Sequence, residues 1–487
     1  MKRISIVRSL FLVLALMLLA GCTGGSGSDQ VVPLSAGNVN LIFVVSPDLA
    51  YHASGDINPS TANLTDQGLQ RSLLMAGYLK QQVLGTENVT RICVLEPTTH
   101  LQTATNYPDM AAIAYIQQFA LLNQITLNST PGSPSYTCNS YPLNASYASV
   151  PLPSGVASPF ASCPGCQGLD FNNTEGDNDS LAAGIINANV PGFYVFSAPW
   201  ETISALMAGI NSTGGYKLNL PATYIGPNFI YAISITPSGA ASLITYNANL
   251  SPPSTYPVLP APVQAAACNT LQTPFTITVT GGVNGVIPTN HNTNETVYMV
   301  RHAEAHPASG WDDGNYLGAG QWRALALAST LQNKISPDLV YSIDPAQVYP
   351  GSFVIQGDLN FSYVRPSLTV LPYAIANNLP YCLVYDIELF DPNSPQATVN
   401  KFFLNGTFSN HTILLAWEHD HFPPMVAALL QTYQYTGATP EAAQTWPSND
   451  YDTIWTVTFD ASGNVTVNNS LCEGIDSASL PATAPQF

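Results

Sequence analysis

Phe193-Tyr-Val-Phe-Ser-Ala-Pro-Trp-Glu-Thr-Ile-Ser-Ala-Leu-Met-Ala-Gly-Ile210 and Ile413-Leu-Leu-Ala-Trp-Glu-His-Asp-His-Phe-Pro-Pro-Met-Val-Ala-Ala-Leu-Leu430 are one pattern written twice. Each opens on an apolar run of strand length. Each then breaks at polar or proline residues and continues with apolar residues at helical spacing. Working outward, every neighbouring segment also has a double. Asn40–Val45 (NLIFVV) matches Thr296–Val300 (TVYMV) as a first strand. Gly68-Leu-Gln-Arg71 and Gly320-Gln-Trp-Arg323 each open an Ala/Leu-rich helix. Short strands end in Glu96-Pro97 and Asp344-Pro345, and Tyr107 and Tyr363 each precede another Ala-rich helix. Ile230-Tyr-Ala-Ile-Ser-Ile-Thr236 and Ile454-Trp-Thr-Val-Thr-Phe-Asp460 run into Ser-Gly and a second strand, which reads as a hairpin.

A plan repeated at long period implies an internal duplication. Strands alternating with helices imply two tandem three-layer α/β/α domains, each with a largely parallel sheet. The spacing between matched motifs is steady up to Tyr107 and Tyr363 and then shortens. An insertion near 131–179, rich in Pro, Ser, Asn and Gly, accounts for it. The expected division is 38–250 for the first domain, 251–290 for a Pro-rich linker and 291–487 for the second.

The amino terminus reads differently. Lys2, Arg3 and Arg8 precede an apolar run that ends in Leu19-Ala-Gly-Cys22 and a Gly/Ser tract. A charged start and an apolar run too short to span a bilayer imply a signal peptide over 1–21. Leu-Ala-Gly-Cys resembles the bacterial lipobox, which implies lipidation at Cys22 and a flexible tether over 22–37. The expected location is an exported lipoprotein on the outer or another cell-envelope membrane, periplasmic or extracellular. Export favours disulfides among Cys93, Cys138, Cys163, Cys166, Cys268, Cys382 and Cys472, with the pairing left open.

Composition excludes as well as suggests. Twelve Lys and Arg stand against 30 Asp and Glu, a net charge of −18, so no basic surface for nucleic acid can form. At 46% hydrophobic and 10% aromatic residues, the chain buries a large core and is not disordered. With few lysines to repel one another once carboxylates protonate, the protein is expected to tolerate acid.

Against that scarcity, Arg301 and Arg365 fall in loops at the carboxyl ends of second-half strands, where open α/β sheets bind ligands. Arg301-His302-Ala303-Glu304 and Trp417-Glu418-His419-Asp420 have Ser46-Pro47-Asp48-Leu49 and Ala198-Pro199-Trp200-Glu201 as their expected counterparts. The first half has lost the cations. Guanidinium groups match phosphate oxygens.

The second half resembles the histidine phosphatase superfamily, the phosphoglycerate-mutase-like fold. The resemblance rests on Arg301-His302-Ala303-Glu304 after the first strand, Arg365 in RPSLTVLPYA, and His419 in ILLAWEHDH followed by Tyr451–Trp455, over roughly 290–470. The first half resembles a degenerate copy. The resemblance implies a phosphomonoester hydrolase working through a phosphohistidine on His302. Arg301, His302, Arg365 and His419 would bind the phosphoryl group, with no metal or cofactor. For the proton donor, Asp420 ranks ahead of Glu388, with Glu304 third. The implied partners are a small phosphorylated substrate and, through Cys22, a membrane. Two rivals stand beside this reading. One is an envelope lipoprotein that binds a phosphorylated or other ligand without catalysis. The other is a metal site from His302, His306, His419 and His421, opposed by Pro307 and by the charge of Arg301.

Overall fold

The computed structural model describes residues 31–102, 107–128, 135–139, 143–144, 168–173, 177–265, 267–268, 271–305, 313–353, 357–384 and 393–487. Cys22 and Glu388 lie outside the described residues, as do His306, Pro307 and most of the insertion expected near 131–179.

The first sheet contains β1 (Val39–Val45), β2 (Arg91–Val94), β3 (Leu143–Asn144), β4 (Gly192–Ala198), β5 (Phe229–Ile235) and β6 (Ala241–Asn247). Their order is β6-β5-β1-β4-β2-β3. Pairing is parallel from β1 to β3 and antiparallel for the β5–β6 hairpin and its junction with β1. The second sheet contains β7 (Thr276–Val279), β8 (Thr296–Arg301), β9 (Leu339–Ile343), β10 (Tyr381–Val384), β11 (Thr412–Trp417), β12 (Thr453–Phe459) and β13 (Val465–Cys472). It runs β7-β13-β12-β8-β11-β9-β10, the same order with an extra edge strand. That strand, β7, comes from the stretch read as linker, and its Thr-Ile-Thr-Val alternates exposed with buried residues as an edge strand should.

The mixed α/β architecture follows from these runs. Strands such as β1 and β4 are buried along their whole length, as parallel strands covered on both faces must be. Helices α1 (Asp66–Tyr78) and α2 (Ala111–Leu122) cover one face of the first sheet. Helices α3 (Asp177–Ala188) and α4 (Trp200–Gly214) cover the other. In the second half, α5 (Gly318–Thr330) and α6 (Arg365–Ala376) share one apolar cluster with α1 and α2. The opposite face packs an aromatic-rich cluster under α7 (Ser394–Phe402) and α8 (Phe422–Thr432).

The two halves are joined by polar contacts set in that shared cluster. Gln117 and Asn315 exchange hydrogen bonds through both ends of their amides, at 2.9 and 3.0 Å. The Gln321 amide donates to Gln118 at 3.0 Å, and Asn63 donates to the Leu379 carbonyl at 3.0 Å. The Pro-rich segment is laid against the same core, with the Tyr256 hydroxyl donating to the Leu325 carbonyl at 3.0 Å.

The paired Gly-x-x-Arg motifs have a steric cause. A Cβ on Gly68 would come within 2.2 Å of the Asp56 carbonyl oxygen, and one on Gly320 within 3.0 Å of the Glu304 carbonyl oxygen. Glycine lets the preceding loop close onto the helix. The arginine one turn later then ties that loop down: Arg71 donates to Asp56 at 2.9 Å, and Arg323 to Glu304 at 2.9 and 3.0 Å. Both arginines are therefore structural.

Several buried acids lack such partners. Burial, and then neighbouring Asp344, pushes Glu96 well above the usual carboxylate range. Burial lifts Asp344 to about 6 and Glu295 to about 8. A folded-state pKa above the unfolded value means that the native state binds more protons as pH rises from about 4 toward 8, so stability falls across that window. The urea midpoint is therefore expected to be higher at pH 5 than at pH 8. A stability maximum above pH 7 would contradict this.

Candidate functional site

Strands β8 and β11 are adjacent and parallel, with Arg301 opposite Trp417. Arg301-His302 and Glu418-His419 therefore leave the sheet side by side, although more than a hundred residues separate them in the chain. The backbone N–H of His302 donates to the Trp417 carbonyl at 3.0 Å, which holds the two exits together. Arg365 is the first residue of α6, and its Nη2 comes within 3.9 Å of Glu418 Oε2. One turn later, the Thr369 hydroxyl accepts from the backbone N–H of Ala303 at 2.8 Å, so the helix fixes the loop that carries the histidine.

His302 is buried, and its Nδ1 lies 2.7 Å from the Ala303 carbonyl oxygen. A carbonyl can only accept, so the proton belongs on Nδ1 and the lone pair on Nε2. That Nε2 is buried without a hydrogen-bond partner. Burial chiefly, helped by Arg365 and Arg301 against the pull of Glu418, lowers the His302 pKa to about 4. The ring is thus neutral and nucleophilic down to mildly acidic pH.

The guanidiniums are held by what surrounds them. Arg301 lies 4.0 Å over the Tyr451 ring and donates to the Ser448 and Asp450 carbonyls at 2.5 and 3.3 Å. Its Nε is buried and unpartnered. Arg365 lies 4.6 Å over the Tyr363 ring. A cavity of about 500 Å³ opens beyond Tyr451, lined also by Asp450, Asp452, Asp476 and Ser477.

Glu418, which sequence reasoning did not single out, sits at the centre. Its Oε1 lies 2.6 Å from His419 Nδ1 and 3.5 Å from His302 Nε2. Its Oε2 accepts from the Tyr363 hydroxyl and lies 3.9 Å from Arg365 Nη2. Burial alone would raise this carboxyl, but His302, His419 and Arg365 outweigh it and hold it well below the usual range. An ionised carboxylate beside Arg365, the His419 ring and the Tyr363 hydroxyl stands in the chemical place of a phosphoryl oxygen. The signal was present in Trp417-Glu418-His419-Asp420, where an acid precedes the histidine at a strand end.

The remaining candidates fall elsewhere. The Asp420 side chain is 77% exposed, with Oδ1 3.3 Å from His419 Nε2. Glu304 faces away from the cluster. Arg323 takes both of its oxygens and the Ser477 hydroxyl donates to it at 2.8 Å, so it is a structural partner and not an available acid. The His421 ring stacks on Trp417, with centroids 4.9 Å apart. Among the described residues, Glu418, His419 and Asp420 bring ligand atoms within 4.8 Å of one another, as a metal site would require. Glu418 and His419 are already bonded to each other there, and Arg365 beside them would repel a dication.

In the first half, the strand register sets Val45 in the place of Arg301, and Ser46 in that of His302. The expected match of Ser46 to Arg301 is one residue out, because pairing and not the first polar residue defines where a strand ends. Ala111 opens α2 as Arg365 opens α6, and Pro199-Trp200 follow β4 as Glu418-His419 follow β11. None of the four cationic positions is kept.

No protein-family model matches the chain, and no curated protein matches it. Solved structures do, over part of its length. A SixA phosphohistidine phosphatase of Agrobacterium tumefaciens is 14% identical over 34% of this chain and 90% of its own, with a TM-score of 0.23. The protein histidine phosphatase SixA complexed with tungstate is 17% identical over 37% and 97%, with a TM-score of 0.22. A mycobacterial hydrolase is 11% identical over 37% and 91%, with a TM-score of 0.23.

Proposed function

We propose that the second half is a phosphomonoester hydrolase that forms a phosphohistidine on His302. The observation that supports it most is the His302 ring itself. Its proton is committed to Ala303 and its Nε2 is buried and unpartnered, beside two guanidiniums. Arg301 and Arg365 would take the phosphoryl oxygens, and His419 would add a donor to them. Nε2 attacks phosphorus and the ester oxygen departs with a proton. Water then cleaves the phosphorus–nitrogen bond, releasing phosphate and restoring the imidazole.

Glu418 is our choice for the proton donor. The incoming phosphoryl group is an anion arriving where this carboxylate lies, and like charges in contact favour the protonated acid. Glu418 would gain a proton as substrate binds and pass it to the leaving oxygen. Asp420, largely in solvent, has no such environment. For Glu418→Gln, kcat is expected to fall by about 10²-fold or more on alkyl phosphates and far less on p-nitrophenyl phosphate, whose leaving group needs no proton. If Asp420→Asn shows that pattern instead, the assignment moves to Asp420. The acid limb of kcat/KM is expected near pH 4, because protonating His302 removes the attacking lone pair.

The lipoprotein signal carries a second part of the proposal. Lipidation at Cys22 would hold the enzyme at the cell envelope, supported by the Leu19–Cys22 motif alone.

A further inference from the structure

The cavity beyond Tyr451 is walled by three segments that the fold ties down. Residues 267–271 are joined to the end of β13 by the Cys268–Cys472 disulfide, and Gln272 next to them donates to Asp450 Oδ2 at 2.9 Å. Residues 449–452 are gripped by Arg301, which donates to the Asp450 carbonyl at 3.3 Å. Residues 475–478 are held by Arg323, which donates to the Ser477 hydroxyl at 2.9 Å, and by the Ile475 N–H, which donates to Asp452 at 2.7 Å. A hollow of about 500 Å³ with braced walls has the size that small organic ligands fill.

This hollow shares a wall with the reacting centre. The Tyr451 ring lines it, lies 4.0 Å from the Arg301 guanidinium and has its centroid 6.1 Å from that of His302. The lining is sorted by charge. Leu271, Tyr451 and Ile475 offer apolar surface, Asp450, Asp452 and Asp476 offer carboxyl groups, and among the described residues no Lys, Arg or His takes part. Asp450 accepts from the Asp452 and Thr453 backbone N–H groups, the Thr453 hydroxyl and Gln272, a set of donors that fits an ionised carboxylate. Asp476 is exposed. Burial raises the pKa of Asp452, so the standing charge is that of Asp450 and Asp476. Arg323, behind Asp452, is already matched by Glu304 and Glu473.

We propose that this cavity receives the alcohol part of the substrate, and that its carboxylates select phosphomonoesters of uncharged or cationic alcohols over esters with a second anionic group. The inference rests on the phosphatase reading of His302 and adds the class of ester. The phosphoryl end of any ester meets Arg301 and Arg365. A carboxylate or second phosphate at the other end meets like charge and no cation to answer it, which costs affinity. A hydroxyl or ammonium group can donate to Asp476 instead, while carbon atoms pack against Leu271 and the Tyr451 ring.

The test uses the full chain at neutral pH. Acetyl phosphate, with its small leaving group, reports the reaction at His302. Glucose 6-phosphate, glucosamine 6-phosphate and 6-phosphogluconate match in size and differ in the charge of the alcohol part. At low ionic strength, kcat/KM for the first two sugars is expected to exceed that for 6-phosphogluconate by at least about tenfold, and the gap should shrink in salt. Asp476→Lys is expected to narrow the gap by about threefold or more. Asp476→Asn, which keeps an acceptor for the Ala478 N–H, should narrow it less, in the same direction. Glu87→Lys, the same change of net charge at an exposed place in the first half, should hardly move it. Acetyl phosphate turned over through His302 with no such gap overturns the subsite alone, as does a gap that Asp476→Lys narrows no more than Glu87→Lys. Acetyl phosphate left intact, or hydrolysed as fast by His302→Ala, overturns the phosphatase reading and the subsite with it.

Discussion

With His302 replaced by alanine, hydrolysis of p-nitrophenyl phosphate is expected to fall by on the order of 10³–10⁵ in kcat, with the fold intact. The size follows from the loss of the atom proposed to form the covalent intermediate. The surrounding guanidiniums remain, so phosphate binding measured by calorimetry should survive with a much smaller change. A phosphoenzyme trapped by rapid acid-free quench should be stable in base and labile in acid, as a phosphorus–nitrogen bond is, and absent from the variant. Turnover unchanged in His302→Ala, or a label that resists acid, would reject the phosphohistidine route and favour a site that binds phosphate without reacting. The asymmetry between binding and turnover is what separates an enzyme from a receptor here.

The second large effect concerns Arg323. Its side chain is wholly buried and donates to Glu304, to Glu473 at 2.5 Å and to Ser477 at 2.9 Å, while Asp452 lies 3.8 Å away. One cation here holds the loop behind His302 against the end of the chain. Arg323→Met leaves the carboxylates buried without it and is expected to cost about 3–5 kcal/mol in urea unfolding, or to prevent recovery of folded protein. Arg323→Lys should rescue little, since an ammonium cannot span two carboxylates with a planar fork. The double variant Arg323→Met/Glu473→Gln should be more stable than Arg323→Met alone. If the two changes simply add, the buried charge is not the cause.

Much of this was legible in the sequence, for reasons that particular residues make plain. The β/α alternation could be read because strands buried on both faces are continuous apolar runs, and the hairpins because a Ser-Gly turn and a second strand follow Ile230–Thr236 and Ile454–Asp460. Arg301, His302, Arg365 and His419 stood out because cations are scarce and these four fall at strand or helix ends. Glu418 did not stand out, since in an acidic chain the carboxylate next to His419 passes as one among many. Its position depends on which way the β11 exit turns, and pairing with β8 settles that. The register slip at Ser46 has the same origin. Thr276–Val279 was read as linker because a single short edge strand is too brief to announce itself amid prolines. An acidic cluster in the first half was hidden because Asp48, the His100–Asp109 pair and Glu201 follow three different strands and meet only at the carboxyl ends of β1, β2 and β4.

The exchange of amide hydrogen bonds between Gln117 and Asn315 has a consequence for how this molecule can be taken apart. Each carboxamide completes the other in a setting sealed from solvent, and the apolar cluster around them draws on residues from both sides of the proline-rich connection. Severing the chain there would strand a pair of complementary fragments, each exposing a greasy wall and an unanswered amide. They should be recovered as a tight complex when made together, and as insoluble material when made alone.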